Sequence, residues 1–275
     1  MGAIVLGAVV ALMPIMTVDA EASSGSPLKK AIEFSKEKIT GVKSITIDNQ
    51  VGDQIEQDDV KKTKQAEEKQ QKKKKIPRGV TNLSEVEKAV EFASEKTGVR
   101  KDFIMGMLVV ESDLGRNPGK CTYGEVEADA ERSHKNGQLS ETAWNTFQER
   151  KNLVKSIADG LGYDYEKLRV SCNPASYAGT GGAMGIPQFM PDTWFEYKDR
   201  VAAVVGKENP DPWNVLDGVT AMALKVADVP GVVEHNQWSE RAASKLYLSG
   251  TTSWRYDWYA SEIQYWANNY AKLIG

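Results

Sequence analysis

The chain is poor in cysteine and histidine, the usual zinc ligands, and offers no phosphate-binding loop. Its two cysteines, Cys121 and Cys172, and its two histidines, His134 and His235, lack the spacing that zinc ligands require. No glycine-rich phosphate loop is present, and strand-like alternation of apolar and polar residues is sparse. These absences argue against a metalloenzyme and a nucleotide-dependent enzyme, so no metal and no cofactor are expected.

The apolar N-terminus, residues 1–16, is shorter than the roughly 20 residues that span a bilayer. It ends near Ala20 and Ala22, which form a small-x-small cleavage pattern. Residues 1–22 are therefore predicted to be a secretory signal peptide. Because no Lys or Arg precedes the apolar run, an uncleaved anchor or a misassigned start codon stays open. Either way, the protein is expected outside the cytoplasm, in the periplasm or cell envelope or secreted.

The net charge of −3 conceals two regions of opposite sign. Residues 23–78 hold 14 basic and 9 acidic side chains, whereas residues 79–275 hold 21 basic and 27 acidic ones. The almost wholly polar stretch 50–75 predicts a flexible linker. This basic arm could contact a membrane or an anionic wall polymer, or serve only as a solvated tether. The acidic body argues against a nucleic-acid partner.

The two cysteines suit an oxidising compartment, where a disulfide is the expected outcome. Closing a loop of about 50 residues would contribute roughly 4 kcal/mol in the chain-entropy model. Two buried free thiols are the alternative.

Residues 79–275 are predicted to form a mainly α domain. A capping box of Asn82 with Glu85 predicts a first helix that ends at Gly98. A second helix is expected over about 101–112. Further helices are predicted over 140–161, 191–205, 215–228, 239–248 and 258–273.

Glu111 is the side chain with the strongest catalytic potential. It shares one helix face with the apolar residues Ile104, Met107 and Leu108, at offsets i, i+3, i+4 and i+7. A glutamate on an apolar face loses hydration, which raises its pKa and lets it donate a proton near neutral pH. Taken alone, such a glutamate more often turns outward into water.

Four segments, in order, resemble the lytic transglycosylases of the lysozyme superfamily. VVESDLG (109–115) is similar to the family's catalytic Glu-Ser pair, and GAMGIPQFMPDTW (182–194) to its substrate-cleft motif. DPWNVLDG (211–218) is similar to the turn and helix start that follow, and AASKLYLSG (242–250) to a segment with a Tyr-Asn pair. Leu248 departs from the pattern, because it stands where the family usually has Asn.

The resemblance implies a lysozyme-like α-helical domain with a catalytic cleft. Glu111 would be the single acid/base that cleaves peptidoglycan glycan strands and leaves 1,6-anhydromuramyl ends. A monomer is expected. The implied substrate-binding residues are Ser112, Met184, Gln188, Phe189 and Tyr247. Ser112 could equally serve only to hydrogen-bond the helix end, and Tyr247 is expected to hydrogen-bond Glu111 or the reacting sugar.

Residues 123–169 have no assigned role and are predicted to be a peripheral helical insertion. A bridge between Cys121 and Cys172 would tie the exit of the Glu111 helix to the entrance of the cleft motif.

Two alternatives stay open. A hydrolytic muramidase of the inverting type would need a second carboxylate to activate water, for which Asp113 and Asp192 are weak candidates. A non-catalytic peptidoglycan-binding or assembly protein would use the same cleft as a groove.

Overall fold

The computed structural model describes residues 74–77, 79–80, 82–173 and 180–274. The predicted signal peptide and nearly all of the predicted basic arm lie outside these ranges, so both stay predictions. The described residues belong to one compact unit. Within them, no helix has both the length and the apolar character to cross a bilayer.

The prediction of a mainly α fold is confirmed. In chain order the described helices are α1 (Leu83–Thr97), α2 (Lys101–Ser112), α3 (Tyr123–Lys135), α4 (Glu141–Leu161), α5 (Pro191–Val205), α6 (Val215–Ala227), α7 (Gln237–Ser249), α8 (Asp257–Asn269) and α9 (Ala271–Ile274). Short 3₁₀ turns lie at Tyr165–Lys167 and Trp254–Tyr256. The strands β1 (Cys121–Thr122) and β2 (Arg169–Val170) pair antiparallel, with Cys121 opposite Val170.

Most helix ends follow from local capping chemistry. The Asn82 side chain accepts a hydrogen bond from the Ser84 amide at the start of α1, and Gly98 ends that helix with a left-handed φ of 76°. The prediction of a capping box between Asn82 and Glu85 is wrong, because the Asn82 side chain accepts from the amide of Ser84 and not from that of Glu85. Ser140 caps α4, its side chain accepting a hydrogen bond from the Ala143 amide.

The helices enclose two apolar cores. The first is built mainly from α1, α2, α6 and α8 and includes Phe103, Met107 and Ile263. The second is built from α3, α4 and α5 and includes Tyr123 and Phe147. Helix α6 contributes to both cores, so it lies between them.

The prediction of a peripheral insertion at residues 123–169 is wrong. Tyr123, Phe147 and Leu168 are buried and share one cluster with Trp194 of α5. Some of the charged side chains that suggested a peripheral segment also lie between helices, since Lys151 of α4 pairs with Glu127 of α3 and Arg150 pairs with Asp192 of α5. The segment supplies half of the second core and so supports the cleft motif that packs on it.

The last residues of the predicted arm pair with the body. The Lys75 amide donates to the carbonyl of Gly162 at 3.0 Å, and the Asp164 amide donates to the carbonyl of Lys75 at 3.1 Å. These two hydrogen bonds attach the segment that precedes α1 to the residues that follow α4.

Helices α2 and α8 approach each other closely at Gly106. A Cβ atom at this position would lie 2.5 Å from the carbonyl oxygen of Ile263 and 2.7 Å from the amide of Ala267. Only glycine allows this approach, which brings the end of α2 against α8.

Candidate active site

Glu111 lies in the last turn of α2, where the chain turns away from the core. Asp113 and Leu114 then adopt left-handed backbone conformations, with φ of 51° and 57°. Ser112 is buried, and its hydroxyl accepts a hydrogen bond from the Gly115 amide at 3.1 Å. Ser112 therefore secures the helix end, while the partly buried Glu111 faces a cavity.

This cavity has a volume of about 370 Å³. It lies between the end of α2, the cleft motif, α6 and α7. Its lining residues are Glu111, Ser171, Cys172, Thr180, Gly181, Ala183, Gln188, Phe189, Met190, Thr193, Lys225, Tyr247 and Leu248.

Burial raises the pKa of Glu111 to about 7. The hydrogen bond that the Tyr259 hydroxyl donates to Oε1 of Glu111, and the positive charge of Lys225, act in the opposite direction. Burial and the adjacent carboxylate also raise the pKa of Tyr259 well above its usual value, so this phenol keeps its proton. The site thus holds a carboxyl that can lose and regain a proton near neutral pH.

The hydrogen bond to Glu111 comes from Tyr259 and not from Tyr247. The Tyr247 hydroxyl donates to the carbonyl of Pro187 in the cleft motif. Its ring lies 5.6 Å from the ring of Phe189, tilted by 45°, and both rings line the cavity. Tyr247 therefore fixes the cleft motif and presents ring surface beside Glu111.

Gln188 is held in a fixed orientation within the cleft motif. Its backbone is left-handed, with φ of 49°, and its amide nitrogen donates to the carbonyls of Gly185 at 2.7 Å and Pro118 at 3.0 Å. Because both amide hydrogens are used in this way, the side-chain oxygen is the group left to accept a hydrogen bond from a ligand.

The loop before Gln188 is closed by a backbone hydrogen bond and requires glycine at position 185. Met184 is fully buried, and its amide donates to the carbonyl of Phe189 at 2.8 Å. A Cβ atom on Gly185 would lie 2.0 Å from the carbonyl oxygen of Pro212. Met184 thus packs beneath the cleft surface and does not line the cavity.

Lys225 brings a positive charge to the same wall. It lies near the end of α6, and its Nζ is 5.3 Å from the ring centroids of both Phe189 and Tyr247. Burial lowers the pKa of Lys225, while the neighbouring carboxylates oppose that shift.

Among the cavity-lining residues that the structure describes, Glu111 carries the only carboxyl group. Asp113 pairs with Arg116 at 2.7 Å, and Asp192 pairs with Arg150 at 2.9 Å. Neither aspartate lines the cavity. In the described ranges, no cluster of His, Cys, Asp and Glu is suited to hold a metal ion.

Cys121 and Cys172 are joined by a disulfide, with their Cα atoms 5.1 Å apart. Cys172 and the preceding Ser171 line the cavity, and the Ser171 amide donates to the carbonyl of Ala183 at 2.9 Å. The bridge therefore connects β1 to the segment after β2 that hydrogen-bonds to the cleft motif.

The structure brings four of the six residues predicted for the site to the cavity wall. Ser112 and Met184, the other two, lie behind the wall. Sequence reasoning missed Tyr259 and Lys225. The only signal for either was its position in a predicted helix, since their closeness to Glu111 arises from the packing of α8 and α6.

The sequence profile described as the transglycosylase SLT domain matches residues 19–227, well over half of the chain. The chain belongs to this family. The matched region includes Glu111, the cleft motif and Lys225, and it ends before Tyr247 and Tyr259. A search among curated proteins finds no significant match.

Three solved structures are similar to this member of the transglycosylase SLT domain family. One is a 36 kDa muramidase/transglycosylase, with 21% identity over 52% of this chain and 41% of that chain, at a TM-score of 0.40. Another is the Escherichia coli lytic transglycosylase SLT35 in complex with bulgecin A, with 16% identity over 69% of this chain and 71% of that chain, at a TM-score of 0.48. A third is the soluble lytic transglycosylase SltB1 from Pseudomonas aeruginosa, with 21% identity over 55% of this chain and 48% of that chain, at a TM-score of 0.37. The chain thus spans less than half the length of two of these proteins.

Proposed function

We propose that the protein is a lytic transglycosylase that cleaves the β-1,4 bond between MurNAc and GlcNAc in peptidoglycan strands. The observation that carries this proposal is Glu111, the one carboxyl among the described residues that line the cavity, whose pKa burial raises to about 7. Family membership supports the reaction class. The protein would act outside the cytoplasm, as a monomer.

The first step needs Glu111 in its protonated form. It donates its proton to the glycosidic oxygen as the C1–O bond breaks, so the leaving sugar departs as an alcohol. Glu111 becomes a carboxylate, which the Tyr259 hydroxyl stabilises by hydrogen bonding.

The second step returns the proton to Glu111. The carboxylate accepts it from the C6 hydroxyl of the muramyl residue while that oxygen bonds to C1. The product is a 1,6-anhydromuramyl end, and no water is consumed. Asp113 and Asp192 are both engaged by arginines, so neither is placed to activate a water in the cavity.

The remaining wall residues would position the sugar. The side-chain oxygen of Gln188 is suited to accept from an N-acetyl N–H or a hydroxyl. The partly buried ring of Tyr247 offers apolar surface to a sugar, whereas Phe189, only 2% exposed, supports that ring from behind. Ser112 and Met184 act indirectly, by holding the end of α2 and the base of the cleft motif.

The basic arm would supply a second contact with the envelope. Its excess of lysines is suited to an anionic wall polymer or membrane surface. Deleting residues 23–73 should weaken adsorption to purified sacculi at low salt. Cleavage of soluble strands by the same deletion should be unchanged.

Replacing Glu111 by Gln tests the assignment of the acid. E111Q keeps the size of the side chain and removes the transferable proton, so cleavage of soluble glycan strands should fall at least about 100-fold. Binding of the strands, measured by calorimetry, should persist. Glu149, exposed on α4, gives the matched control, and E149Q should be fully active.

The alternative that the protein binds peptidoglycan without cleaving it predicts a different result. The wild type would then bind the strands without cleaving them, and E111Q and the wild type would be indistinguishable.

A further inference from the structure

Lys225 is a cation that faces the cavity without a salt bridge to any described residue. Its ammonium group lies over the faces of Phe189 and Tyr247, at 5.3 Å from each centroid. The rings hold one side of the ammonium by cation–π attraction and leave its remaining N–H groups for another partner.

Three carboxylates act on Lys225 electrostatically, those of Glu196, Asp192 and Glu111, but none of them forms a salt bridge with it. Glu196 is exposed to solvent on α5. Arg150 binds both oxygens of Asp192, at 3.2 and 2.9 Å. Glu111 accepts from Tyr259 and, in the proposed reaction, is neutral when the substrate binds. Buried cations are normally paired with an anion, because leaving one unpaired in a partly desolvated site is costly. The missing anion is therefore expected on the ligand.

We propose that Lys225 is a specificity-determining residue that binds a carboxylate of the substrate beside the bond that is cleaved. This assignment rests on the proposed function. Peptidoglycan offers the same chemistry from two sources: the lactyl carboxylate of a muramyl residue that lacks its peptide, or a carboxylate of the stem peptide.

The polar groups of the wall give the substrate one orientation. Gln188 presents an acceptor oxygen, which attracts an N–H group and repels a carboxylate. Lys225 presents donors only, which attract the carboxylate. The N-acetyl side of the sugar thus turns to Gln188 and the acidic side to Lys225, with Glu111 on the same cavity wall.

Four substrates test this assignment: peptide-bearing and peptide-free strands, each with free carboxylates or with the same carboxylates converted to methylamides. We expect the wild type to cleave the free form of one strand type with a kcat/KM roughly tenfold or more above that of its methylamide. K225M should lose this preference, because Met retains the ring contact without the charge. K225R should retain it.

The strand type that shows the preference identifies the source of the carboxylate. Preference among peptide-free strands identifies the lactyl group, and preference among peptide-bearing strands identifies the stem peptide. Lys198 gives the matched control, since its Nζ lies over the Phe195 ring at 4.7 Å but away from the cavity. K198M should retain the wild-type preference.

The assignment is overturned if the wild type cleaves free and methylamidated strands equally, a result that needs no variant to fold. It is also overturned if K225M weakens cleavage of free and methylamidated strands by the same factor, since Lys225 would then act on Glu111. A wild type that cleaves none of the four strands overturns the proposed function itself.

Discussion

At Glu111, burial and hydrogen bonding act on the same proton in opposite directions. Burial favours the neutral carboxyl, whereas Tyr259 and Lys225 favour the carboxylate. The resulting pKa of about 7 is suited to a group that must first donate a proton and then accept one. The balance depends on three side chains from three different helices.

Removing the Tyr259 hydroxyl should disturb this balance in one direction. Y259F loses the hydrogen bond that favours the carboxylate, so the pKa of Glu111 rises further. The alkaline limb of the kcat/KM profile, where Glu111 loses its proton, should move to higher pH. Y265F, on the exposed face of the same helix, should keep the wild-type profile. An unchanged limb in Y259F would contradict this role.

The raised pKa also predicts a pH-dependent cost in stability. The neutral form of Glu111 is favoured in the folded state, so its stabilisation is complete below the usual pKa of 4.5 and is lost as pH rises through about 7. E111Q cannot ionise. Its free energy of unfolding relative to the wild type should increase between pH 5 and pH 8, by at most about 3 kcal/mol.

Chemical denaturation of both proteins at the two pH values measures this difference. A constant difference across that range would mean that Glu111 has an ordinary pKa.

At the scale of elements, the contact between α2 and α8 sets the geometry of the acid. Gly106 permits that contact, because a Cβ there would overlap the backbone of Ile263. G106A should separate the helices, reduce stability by roughly 1–3 kcal/mol and weaken the bond between Tyr259 and Glu111.

A second helical glycine supplies the control for G106A. Gly160 of α4 has open space around its Cβ position, so G160A should stabilise by roughly 0.5–1 kcal/mol without changing activity. Thermal unfolding and strand cleavage measure both variants. If G106A behaved like G160A, the close approach of α2 and α8 would not matter for the site.

The disulfide acts on the opposite side of the cavity. Cys121 and Cys172 close a loop with a sequence separation of 51, and the bridge reinforces the pairing of β1 with β2. Reduction should lower stability by up to about 4 kcal/mol and impair cleavage, because Cys172 lines the cavity. An unchanged melting temperature and activity after reduction would show that the bridge does not fix the cleft.

The helices were predictable because their signals are local. Asn82, Ser140 and Pro191 mark helix starts, and Gly98 marks an end, so bounds followed within a few residues. The position of Glu111 at the cavity was predictable because the residue lies on an apolar helix face and a cleft motif follows it in the chain. Tyr259 and Lys225 were not, because each reaches Glu111 only through helix packing between residues far apart in sequence.

At the scale of the whole molecule, the two cores meet along α6, and the cavity lies where they meet. Helix α2 delivers Glu111 from the first core, while the cleft motif rests on the second. The prediction of a peripheral role for residues 123–169 was wrong because the buried face of this segment belongs to the second core. A charged outer face is visible in sequence, whereas the buried face of the segment is recognised only once its partner helix is in place.

The central claim is that Glu111 performs both proton transfers without water. Mass analysis of the products from soluble peptidoglycan strands tests it most directly, since anhydro and reducing ends differ by one water. We expect wild-type products that end in 1,6-anhydromuramyl residues and incorporate no oxygen from labelled water. Products with reducing ends that carry the label would contradict the account, because a hydrolase would then be acting.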